Sequence, residues 1–115
     1  MPVELMKEAD AMICVLYKTY LKARKTGKPI SESKYLGGDV NIKNSITPKL
    51  ALDDVTELCW ALKRKGLLAA DPGDNRANDV RFTDEGLIYM ENRFKGKIES
   101  VVKWLAKLEA FVPFI

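Results

Sequence analysis

Two apolar stripes of helical spacing stand at opposite ends of this chain, separated by a stretch dense in glycine, proline and other turn formers. The first stripe is Leu5, Ala9, Met12, Ile13, Leu16, Tyr17, Tyr20 and Leu21, recurring at three and four residues. It predicts one amphipathic helix over about residues 3–25, in an N-terminal helical segment 1–26 that Gly27 and Pro29 end. The second stripe is Leu87, Met90, Phe94, Ile98, Val101, Leu105, Leu108 and Val112. It follows Thr83-Asp84-Glu85-Gly86, an N-cap candidate with first-turn acids, and predicts a C-terminal helix over 84–112, with Gly96 as a bend point and Pro113 as its end. Apolar faces this long must cover each other or be covered by a second copy of the chain.

The middle is less regular. Ile30–Leu36 suits either a short strand or one helical turn, and Gly37-Gly38-Asp39 is expected to break it. Thr47-Pro48 opens a turn, and Asp53-Asp54 sit where an N-cap and first-turn acids favour a helix start. That helix runs to Lys65, with Val55, Leu58, Cys59 and Leu62 inward and Lys63-Arg64-Lys65-Gly66 as a basic last turn and C-terminal glycine. Leu67–Ala70 reads as a strand, Asp71–Asp79 as an exposed polar loop and Val80-Arg81-Phe82 as a returning strand, so 67–82 is a hairpin with a long tip. The fold class is therefore mainly α with a small β-hairpin, an α+β chain of 115 residues forming a single domain.

Two strings within this order carry a resemblance. Ala61-Leu62-Lys63-Arg64-Lys65-Gly66-Leu67-Leu68 resembles the end of a recognition helix running into a first wing strand. Val80-Arg81-Phe82-Thr83-Asp84-Glu85-Gly86 resembles the second wing strand and the "LT-x-x-G" lead-in to the following helix in MarR-like regulators. Residues 50–95 thus resemble a winged helix-turn-helix domain, with recognition helix and wing over about 47–86 and long flanking helices. In length and in its Pro-containing apolar tail the chain is also similar to the YjcQ-like winged-helix proteins of bacteria and prophages. The resemblance implies a short helix before the recognition helix, supplied either by Ser31–Leu36 or by residues 47–52. It implies a small dimeric transcriptional regulator, bacterial or prophage in origin, with double-stranded DNA as partner.

Charge bears on that implication. The net charge is +3, from 19 Lys and Arg against 16 Asp and Glu, yet residues 53–86 hold eight acids and only five bases. Such a segment is unfavourable for tracking phosphates, because counterion release needs positive charge at the contact. At 100° per residue the outward face of the recognition helix is led by Asp53, Glu57, Trp60 and Arg64. A DNA site would be assembled from Lys43, Lys49, Thr56, Trp60, Lys63, Arg64, Arg76 and Arg81. The alternative is a winged-helix protein-interaction module that meets its partner through Asp53, Glu57 and Trp60, with Trp60 either packed inward or exposed as an aromatic anchor. Lys18, Lys22, Arg24, Lys25 and Lys28 read as complements to the dipole of the first helix. Dimerisation is assigned to Phe94, Ile98, Val101, Trp104, Leu105, Leu108 and Phe111, with the apolar tail 111–115 adding surface for a homodimer to cover.

Other classes are excluded by what is missing from the sequence. Histidine is absent, which removes imidazole bases, triads and ligands. Cys14 and Cys59 lack metal or redox spacing and read as buried thiols. With neither a phosphate loop nor a nucleophile beside a base, no enzyme activity, cofactor or metal is expected. Met1–Glu8 mixes acids with bases and has no signal-like apolar run, so a cytoplasmic protein without a membrane partner is expected.

Overall fold

Helix α1 (Lys7–Lys25) forms the axis of the molecule, and the computed structural model describes residues 4–112 around it. The other elements are α2 (Ile30–Ser33), β1 (Tyr35–Gly37), α3 (Asp39–Ser45), α4 (Leu52–Arg64), β2 (Leu68–Gly73), β3 (Arg76–Phe82), α5 (Asp84–Phe94) and α6 (Ile98–Leu108). The strands form one antiparallel sheet in the order β1-β3-β2, and the architecture is α+β with helices dominant. The first apolar stripe does what its spacing requires. Met12, Ile13 and Leu16 are fully buried against Val55 and Leu62 of α4, Phe82 of β3 and Met90 of α5 in one continuous core. Each such side chain contributes about 1.5–3 kcal/mol relative to an exposed position.

The ill-defined stretch 30–48 holds both of its alternatives. Ile30–Ser33 makes the helical turn, and Tyr35–Gly37 makes the strand that pairs with β3. Asp39, expected to break structure, instead opens α3, which is the short helix before α4. The preceding helix therefore comes from neither Ser31–Leu36 nor residues 47–52. Helix α4 starts at Leu52 with Ala51 as its cap, so Asp53 and Asp54 lie inside the first turn, where they complement the helix dipole rather than cap it. At its other end the Gly66 N–H bonds the Lys63 carbonyl and the Leu67 N–H bonds the Leu62 carbonyl. That reversal places residue 66 at φ 79°, where glycine fits without strain.

The expected long polar tip is a second correction. Strand β2 continues to Gly73 and β3 begins at Arg76, leaving only Asp74-Asn75 as the turn. Both turn residues have positive φ, 53° and 60°, the mirror-image conformation whose twist suits a two-residue hairpin. Polar composition misled here because the strands leave the body of the domain, and their outer residues meet water whether paired or not. The register slips by one residue between Ala69 and Asp71, opposite Asp79 at φ 50°, and this bulge keeps Ala77, Val80 and Phe82 all buried.

The third correction concerns the C-terminal helix, which is two helices. Lys95 at φ 56° and Gly96 at φ 70° end α5, and α6 folds back along α1. Val101 and Leu108 thereby become buried within the chain, Phe94 is 7% exposed, and Ile98, Trp104 and Leu105 are half-buried. Phe111 stays 61% exposed, with the Lys7 ammonium 3.3 Å from its ring centre. A second copy is not needed to cover this stripe. The tail residues 113–115, and with them the expected stop at Pro113, lie outside the described residues.

The base of the hairpin is held by Thr83. Its hydroxyl accepts from the Gly86 N–H at 2.9 Å and donates to the Gly66 carbonyl at 2.6 Å. A Cβ on residue 86 would lie 2.0 Å from the Leu67 carbonyl oxygen, so the glycine of the Thr-Asp-Glu-Gly string is required by close backbone contact.

Candidate functional site

The α4–hairpin face is organised by a residue that sequence reasoning had treated as a breaker. Asp39, 1% exposed at the start of α3, receives the Thr56 hydroxyl at 2.5 Å and the Ala77 N–H at 3.1 Å. Arg76 reaches the same carboxylate at 3.9 Å, donates to the Thr56 hydroxyl at 3.1 Å and lies 4.0 Å from Asp53. One buried carboxylate thus ties α3, α4 and the hairpin together, and its charge is offset by Arg76 and two hydrogen bonds. No linear pattern announces Asp39, because its partners are 17, 37 and 38 positions away.

The remaining expected DNA contacts, Lys49 apart, are also engaged within the chain. Lys63 donates to the Ala70 carbonyl at 2.8 Å, with its ammonium 5.2 Å from the Trp60 ring centre. Arg64 pairs with Glu57 at 3.6 Å, both on the exposed face. Arg81 lies 3.6 Å from Asp71 and donates to the Asp79 carbonyl at 2.6 Å, while Lys43 donates to the Pro48 carbonyl at 2.6 Å. Trp60 is half-buried and packs against the core, so it is not a free aromatic anchor. The predicted outward direction of Asp53, Glu57 and Arg64 holds, since all three are exposed. Lys49 does not join this face. It lines a groove between α1, α3 and α6 together with Lys18, a residue whose only sequence signal had been its place in a basic run.

A second clasp joins α5 and α6 to α1. Asp10 receives Arg93 and the Trp104 indole N–H, each at 2.9 Å. Burial raises the Asp10 pKa, but hydrogen bonds from Arg93 and Trp104 and the guanidinium charge outweigh it, and the carboxyl ends below its ordinary value of 3.8. Trp104, a dimerisation candidate, is therefore used inside the chain. Cys14 and Cys59 are buried, and burial pushes both thiols up to about 12, which makes them poor nucleophiles and poor metal ligands. Among the described residues, no group of three or more Cys, Asp or Glu is placed to hold a metal ion, and no helix is long and apolar enough to cross a membrane.

No family model, no curated protein and no solved structure matches this chain. Its function is therefore argued from the surfaces just described.

Proposed function

We propose that this chain is a winged-helix-type domain used for protein association rather than for reading DNA. The order helix, strand, helix, helix and hairpin, with β3 between β1 and β2, supports the winged-helix part of the reading. The observation that carries the second part is the engagement of four α4–hairpin cations, Lys63, Arg64, Arg76 and Arg81, by the chain's own acceptors. Arg64, Arg76 and Arg81 face carboxylates, and Lys63 faces a carbonyl.

From Asp39 to Phe82 the chain has seven acids and seven bases, and the outward residues of α4 begin with Asp53, Asp54 and Glu57. Bringing phosphates to this face would break existing pairs and oppose carboxylates to phosphate, so counterion release gives little in return. Against a protein, the same exposed carboxylates are suited to a polar rim.

The test is fluorescence anisotropy of the full chain on random-sequence duplex DNA, with salt raised from about 50 to 200 mM. No binding is expected at the low-salt end. Micromolar binding that falls steeply with salt and vanishes in a Lys63→Glu/Arg64→Glu variant would overturn the reading in favour of a DNA-binding regulator.

A further inference from the structure

The groove between α1, α3 and α6 has a lining different in kind from the α4–hairpin face. Its first part, about 510 Å³, is lined by Val15, Lys18 and Lys22 of α1 with Leu36, Asn41 and Ile46 on the other side. Its second part, about 360 Å³, shares Val15, Lys18 and Ile46 and adds Lys49, Leu105 and Glu109. Val102, 47% exposed on α6, extends the apolar surface at the lip. The groove thus sets apolar side chains, Ile46 and Leu105 among them, beside three lysines, with Glu109 as the one acid among its described lining residues.

Among the described residues none of these lysines is in an ion pair, although Lys18 is half-buried. The polar groups of the walls are already satisfied. Thr19 donates to the Val15 carbonyl at 3.1 Å, Asn41 to the Leu36 carbonyl at 2.9 Å and Ser45 to Asn41 at 3.3 Å. These side chains are engaged within the chain, and an open groove does not enclose a small ligand as a ligand pocket must. What remains for recognition is apolar contact below and negative charge at the height of the lysines.

We propose that this groove docks an acidic amphipathic helix of a partner protein. Its apolar residues, at i, i+3 or i+4 and i+7, lie along Val15, Ile46 and Leu105, and its flanking glutamates or aspartates meet Lys18, Lys22 and Lys49. The α1 wall from Val15 to Lys22 is about 10 Å long at 1.5 Å per residue, which matches two turns of such a helix. The proposal rests on the reading of the domain as a protein-interaction module and names the chemistry of one partner. Charge complementarity selects the occupant: among the described residues the three lysines have no ionic partner, and the apolar side chains between them give a nucleic-acid backbone nothing to pair with.

The probe is a fluorescein-labelled 18-residue helical peptide with leucines at those positions and glutamates beside them; a control peptide has lysine in place of each glutamate. Anisotropy with the full chain is expected to show saturable binding of the glutamate peptide and none of the lysine peptide. Lys18→Glu/Lys22→Glu and, separately, Val102→Glu are expected to weaken the glutamate peptide by about tenfold or more, while Asp53→Asn/Glu57→Gln leaves it unchanged. The first variant is also expected to gain binding of the lysine peptide, a result that no loss of folding produces. Absent binding, equal binding of both peptides, or binding indifferent to the groove substitutions would each overturn the proposal. DNA binding through α4 would overturn the protein-association reading instead, so the two failures are separable.

Discussion

The α4–hairpin face and the α1–α3–α6 groove present similar side chains in opposite circumstances. On the first, Lys63, Arg64, Arg76 and Arg81 are matched by carboxylates or carbonyls of the same chain, and the buried Asp39 makes that matching part of the fold. In the second, three lysines border apolar residues without a described ionic partner. Counting charge along the chain does not separate these cases, because what a cation offers to a partner is what its own protein has left unneutralised. The distinction also separates substitutions that damage the fold from those that alter only recognition.

The largest effect is expected where the hairpin side depends on backbone contact. Gly86→Ala places a methyl 2.0 Å from the Leu67 carbonyl oxygen, and urea unfolding should show a loss of about 3–4 kcal/mol. Asp39→Ala comes next. It leaves the Ala77 N–H and Thr56 without their acceptor and Arg76 without its buried partner, for an expected loss of about 2–3 kcal/mol by the same measurement. A loss below about 0.5 kcal/mol would show that Asp39 is no keystone and would erase the contrast between the two regions.

The Asp10 clasp gives an intermediate effect and a pH signature. Its folded pKa lies below 3.8, so its contribution is fully present above the unfolded carboxylate value of about 3.9 and is lost as pH falls through the lower folded value. Asp10→Asn should cost about 2 kcal/mol at neutral pH and flatten the stability profile below pH 4, read from acid titrations followed by circular dichroism. The smallest effect belongs to the groove. Lys18→Gln/Lys22→Gln breaks no described ion pair and should change stability by less than about 0.5 kcal/mol in urea melts. A larger loss would mean that these lysines are structural and would undo the comparison from the other side.

Much of the framework was legible locally. The three- and four-residue spacing of Ala9 to Leu21 reports a helix because a helix is periodic at 3.6 residues, and its face is the core face of α1, whereas Leu5, expected inside the helix, precedes its start at Lys7. The glycine after Lys65 and the Thr-Asp-Glu-Gly string carried their signals for backbone reasons that act within a few residues. The candidate site was much less legible. As a hydroxyl and a cation in sequence, Thr56 and Arg76 suit DNA contacts, yet in the fold both are committed to Asp39, and Lys18, whose sequence position suits dipole complementation, lines the groove. Local spacing leaves Trp60 either packed or exposed, and its half-buried place against the core is set by neighbours distant in sequence.

The sequence by itself determined where α1 and α4 run, that a hairpin joins the middle to the last third, and that the chain has no imidazole. Those features follow from local periodicity, turn chemistry and composition. Tertiary structure alone decided that α6 turns back onto α1 instead of extending α5, that Asp39 serves three elements at once, and which lysines have no ion-pair partner among the described residues. Packing and electrostatic pairing are made between residues tens of positions apart, and a charge gains its meaning only when the chain has brought its neighbours to it.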